Sequence, residues 1–127
     1  MRFARNVFLL AGIYGLAVLL PQFFLEWKVN ADFPPAITHP ENFYGFVALA
    51  SVFQIVFLII SSDPARFRPM MLAAVAEKLS YAIAVYVLYA QGRLPAVLTA
   101  FGAIDFVLGA LFALSFYLTR GPEPERG

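Results

Sequence analysis

The chain has 127 residues, 61% of them hydrophobic and only 13% charged, with a net charge of +1, no cysteine and one histidine. A soluble domain this small cannot hide so much apolar surface (mean hydropathy +0.77), so lipid is its solvent. The charge balance gives no basis for nucleic-acid binding. Without thiols there are no disulfides, cysteine nucleophiles or thiolate metal sites, and with His39 alone neither a metal nor a cofactor is expected.

Four apolar segments follow one another: Val7 to Leu25, Phe43 to Ile60, Met70 to Ala90 and Ala96 to Leu118. Each has roughly the 20 residues that cross about 30 Å of hydrocarbon as a helix. The expected fold is therefore all-α, an integral membrane four-helix bundle forming one domain over residues 1–120, with a disordered tail over 121–127. The first segment follows Arg2 and Arg5 but lacks the small-residue cleavage site of a signal peptide. Pro21 is expected to kink or end its helix, and Trp27 to anchor at the membrane interface.

The first connection, Glu26 to Asn42, is the longest and reads as a stiff, proline-rich loop. Thr38 and Glu41 have the spacing of a capping box opening the second helix, with Pro40 in its first turn. Asp63 and Pro64 read as cap and first residue of a helical start. Gln91 to Pro95 is short enough to make the third and fourth helices antiparallel neighbours. Arg2, Arg5, Arg66, Arg68, Arg120 and Arg126 fall on one side and only Lys28 and Arg93 on the other. This bias places both termini in the cytoplasm of, by expectation, a bacterial inner membrane.

Laying the helices side by side brings Tyr14, Gln54, Glu77, Lys78, Ser80 and Asp105 to similar depth, with Tyr81 on the face of Glu77 and Ser80. Polar side chains inside a membrane turn toward the bundle interior. Gly102 and Gly109 form a small-residue stripe beside Asp105, where a neighbouring helix can approach closely. Each group also has a plain reading. Lys78 and Asp105 make a structural ion pair, or Lys78 snorkels to the interface, and Gln54 bonds a neighbouring helix. Glu77 is hardest to explain this way, because two intramembrane acids face one base.

The run His39-Pro40-Glu41, Phe43-Tyr44-Gly45-Phe46, Asp63 to Pro69 and Glu77-Lys78-Leu79 resembles a group of small bacterial four-helix membrane proteins. The resemblance implies no activity. The layout is also similar to the four-helix core of the EXPERA group, which includes sterol isomerases and sigma-2-type receptors, and to the DoxX-like proteins. The EXPERA resemblance implies acidic residues in a membrane pocket open to amine- or sterol-like ligands. The expected function is thus a pocket for a small apolar or amphipathic ligand, lined by Glu77, Asp105, Gln54, Tyr14, Lys78, Ser80 and Tyr81. The partners are membrane lipids and that ligand. The rival expectation is a non-catalytic accessory subunit or homo-oligomer, in which the same residues glue helices together.

Overall fold

Each long apolar segment folds as a helix, the only form in which a lipid-exposed segment satisfies its own backbone. In the computed structural model, which describes residues 1–121, α1 spans Arg2–Leu19, α2 Glu26–Asp32, α3 Pro40–Ser62, α4 Met70–Ala90 and α5 Thr99–Leu118. Short 3₁₀ turns over Leu20–Phe24 and Ala96–Leu98 extend α1 and precede α5. Four of these helical stretches are long and apolar enough to cross a membrane, so the chain is an all-α helical membrane protein. The tail expected to be disordered lies, from Pro122 on, outside the described residues.

The ends of the helices follow local chemistry, with three departures from expectation. Pro21 sits in the 3₁₀ turn that ends α1, as its missing N–H and fixed φ require. The Thr38–Glu41 capping box does not form: His39 is the N-cap, without a side-chain bond, and its Nδ1 lies 3.5 Å from Glu41 Oε1. Asp63 caps a turn rather than a helix. Its carboxylate accepts from the Arg66 N–H at 3.3 Å, and α4 starts only at Met70. The first connection is not all loop, since α2 lies within it. There Lys28 pairs with Asp32 at 2.8 Å, and the Tyr44 hydroxyl donates to Glu26 at 2.9 Å, tying α2 to α3. At the end of α4, Gly92 takes φ +70°. The N–H groups of Gly92 and Arg93 donate to the carbonyls of Tyr89 and Leu88, a glycine-dependent helix stop.

The helices assemble as two tight pairs, α1 with α3 and α4 with α5. Missing side chains make both pairs. A Cβ on Gly12 would overlap Leu58, and one on Gly15 would overlap Gln54. A Cβ on Gly102 would overlap Val85, and one on Gly109 would press tightly on Leu79 and Lys78. The α3–α4 contact, between consecutive helices, is by contrast slight.

The two pairs meet at the end where α1 begins and α5 finishes. Phe8 of α1 stacks on Phe112 of α5 at 4.3 Å, and Phe57 of α3 packs edge-on against Phe112 at 4.9 Å. Ala4, Ala11, Ile60, Met71 and Ala74 complete this buried core. Arg68 closes the same end, donating to the Phe116 carbonyl at 3.0 Å with its guanidinium 3.7 Å from that ring. Toward the α2 end the space between the pairs is a cavity.

Candidate functional site

The cavity measures about 370 Å³, within the size range of small-molecule sites. Its walls come from both helix pairs: Tyr14 and Gly15 on α1, Phe43, Phe46 and Ala50 on α3, Glu77, Lys78 and Tyr81 on α4, and Phe101 and Asp105 on α5. Val29 and Phe33, from α2 and the residue after it, cover the far end, with Gln22 beside them. The surface is mostly aromatic and aliphatic, and its charges are concentrated on one lysine and two acids.

Those three groups form a loose triad. Lys78 Nζ lies 3.5 Å from Asp105 Oδ1 and 3.6 Å from Glu77 Oε2, and its side chain is only 7% exposed. Both distances are at or beyond the limit of a hydrogen bond, so the lysine balances the acids without binding either tightly. It also lies 5.3 Å from the centre of the Phe57 ring, at the top of the aromatic core. Glu77 Oε2 is enclosed and receives no hydrogen bond from the described residues.

Five residues of the expected site therefore line one cavity: Tyr14, Glu77, Lys78, Tyr81 and Asp105. The other two do not. Ser80 points outward and donates to its own helix, at the Glu77 carbonyl, at 3.0 Å. The buried stripe of α4 runs through Met71, Ala74, Lys78, Ala82 and Val85, centred on Lys78 rather than on Glu77. That rotation carries Ser80, Ala73 and Ala84 to the outside. Gln54 is 1% exposed but sits behind the cavity wall, against Gly15 of α1. Its Nε2 donates to the Ala50 carbonyl at 2.9 Å, while its Oε1 accepts nothing from the described residues. Laying α3 beside α4 puts Gln54 at the depth of Glu77. The α1–α3 pairing turns it toward Gly15 instead of into the cavity.

Several lining residues carried no signal read from the sequence. Gly15 is one, although Gly12 and Gly15 mark the α1–α3 contact as plainly as Gly102 and Gly109 mark the other. Phe43, Phe46 and Phe101 are indistinguishable by type from lipid-facing phenylalanines. Val29 and Phe33 lie in the unforeseen lid. Among the described residues no three His, Asp or Glu side chains come together to hold a metal ion. Comparison of the chain with family models, curated proteins and solved structures gives no match.

Proposed function

We propose that this chain is a membrane protein that holds a small apolar or amphipathic molecule, of lipid-, sterol- or amine-like character, between its two helix pairs. The observation that carries the reading is the contrast between the two ends of the bundle. One end is closed by stacked phenylalanines, while the other holds a half-open cavity with aromatic walls and an acid–base triad. A bundle held together only for structure has no need to keep two acids and a lysine beside open space. The Phe8, Phe57 and Phe112 cluster below the triad also speaks against a water or ion pathway through a single copy. The Lys/Arg bias supports an orientation with the phenylalanine end and both termini in the cytoplasm, and the resemblance to small bacterial proteins supports the inner membrane.

The test is a paired measurement on Glu77→Gln. Mass spectrometry of small molecules retained by the purified protein is compared with its melting temperature in detergent. A ligand role predicts that the amide variant folds like the parent and loses the retained molecule, because an amide cannot ionise or exchange a proton. Equal retention by both proteins, or a fixed larger assembly carrying no small molecule, favours the accessory-subunit reading instead.

A further inference from the structure

We propose that the molecule reaches the cavity from within the bilayer, through the seam between α3 and α4, with Phe46 and Tyr81 as the doorway and Glu77 as the acid it meets. This rests on the ligand-site reading above and adds the route, the contacting acid and the ligand's chemistry. The ligand is a bilayer-dissolved compound bearing an N–H or O–H donor.

The seam is the weak lengthwise joint of the bundle. Although α3 and α4 are consecutive, they scarcely touch, whereas each is packed tightly on its own partner. Beside the cavity one aromatic pair bridges them, Phe46 on Tyr81, with ring centres 6.0 Å apart. Phe46 is 47% exposed, so this pair is a surface contact rather than part of a core. Glu77 lies one helical turn from Tyr81 and Ala50 one turn from Phe46, so each shares a face with its partner. Both line the cavity. Next to the aromatic pair the seam is therefore flanked by a carboxyl on one helix and only a methyl group on the other.

The other approaches differ. The α1–α5 side is the more closely packed of the two lengthwise joints between the pairs, with Tyr14 in its wall and the stacked Phe8 and Phe112 below the cavity. The end facing α2 is covered by Val29 and Phe33. The Tyr44–Glu26 bond and the bond from the Ile37 N–H to Asn30, at 2.8 Å, hold that cover down.

Lys78 is about equally far from both acids, so position separates them. Asp105 stands across the α4–α5 contact, where Gly109 admits the Lys78 stem: a Cβ on Gly109 would lie 3.3 Å from Lys78 Cβ. That pairing stitches α4 to α5. Glu77 instead stands one turn from the seam residue Tyr81, and its Oε2, 3.6 Å from Lys78 Nζ, accepts no hydrogen bond from the described residues. A carboxyl whose acceptor capacity is unfilled selects for a donor on the incoming molecule.

The cysteine-free chain allows a clean test. Phe46→Cys/Tyr81→Cys is reconstituted in liposomes, with and without a short bis-methanethiosulfonate cross-link that dithiothreitol cleaves. The probe is N,N′-dicyclohexylcarbodiimide, which partitions into lipid and adds to a carboxyl as an N-acylurea. Peptide mass spectrometry locates the adduct. The expected result is an adduct on Glu77 with little on Asp105, lost on cross-linking to the level of a Glu77→Gln control and restored by dithiothreitol. A water-soluble carbodiimide should label neither residue. Phe46→Ala, which needs no cross-link, should speed labelling and serves if the double variant misfolds. Labelling of Glu77 that ignores both the cross-link and Phe46→Ala, equal labelling of Asp105, or equal reaction with the water-soluble reagent overturns the proposal. If the folded, uncross-linked protein is labelled on neither acid while the unfolded protein is labelled on both, the interior is closed, and the ligand-site reading fails with it.

Discussion

Gly15→Ala tests whether the α1–α3 contact is built on one missing side chain. An ideal Cβ at Gly15 falls against three atoms of Gln54, Oε1, Cδ and Cγ, the Cγ at 2.7 Å. Turning the amide end alone does not clear the Cγ, and Gln54 is 1% exposed, so the side chain has nowhere to go. Forcing a methyl group into such a site costs about 1–3 kcal/mol. Losing the bond from Gln54 Nε2 to the Ala50 carbonyl costs about 1 kcal/mol more. Against this, alanine is better than glycine in a helix interior by about 1 kcal/mol, which leaves a net loss of roughly 1–3 kcal/mol. In a Gln54→Ala background the obstacle is gone. The same Gly15→Ala change should then stabilise, by about 0.5–1 kcal/mol. The assay is reversible unfolding by SDS in mixed micelles on all four proteins of the cycle. If Gly15→Ala has the same sign in both backgrounds, with additivity within about 0.5 kcal/mol, the glycine and the glutamine are not coupled and the reasoning fails.

Gly109→Leu should loosen the α4–α5 pair, because even its Cβ would lie 3.1 Å from Leu79 Cδ2. A loss of about 1–3 kcal/mol is expected in the same assay, and an unchanged unfolding free energy contradicts close packing there. Lys78→Met leaves two acids without their base and should cost about 3–5 kcal/mol. Adding Glu77→Gln and Asp105→Asn should recover most of this, and a stable single Lys78→Met variant would refute the balancing role of the lysine. A reporter fused after Gly127 should be active in the form that works in the cytoplasm; activity only on the opposite side rejects the orientation drawn from the Lys/Arg bias.

The helices were legible because length and hydropathy are all that a membrane span requires. Met70 to Ala90 and the end of the fourth segment at Leu118 agree with the structure to the residue. The neighbours were not legible from these properties. In water the core-facing stripe of a helix is its apolar stripe, but in lipid both faces are apolar. Leu10 and Ile13, at 66% and 53% exposure, look like core residues by type, and Phe8, which is fully buried, looks no different from them. Only polar and very small residues carry a direction. Lys78, Glu77 and Asp105 were found that way, and Gly12 and Gly15 offered the same signal on α1. Chain order misled at Gln54, because consecutive helices such as α3 and α4 need not pack along their length. The α2 helix escaped notice because its seven residues are too few for a periodic pattern.

The arrangement separates what holds the protein together from what its interior can do. In lipid the hydrophobic effect does not drive helices together, so close packing and polar contacts must. Here the close packing lies inside each pair, at Gly12 and Gly15 and at Gly102 and Gly109. The pairs are then joined mainly at one end, by the rings of Phe8, Phe57 and Phe112. A cavity between two units that are each already packed removes few of the contacts that hold either unit together. Small changes in the angle between the pairs would alter its width while the glycine contacts stay closed. Residues of the cavity end, Phe46, Tyr81 and Glu77 among them, are in consequence the ones whose substitution should change what the protein holds more than whether it folds.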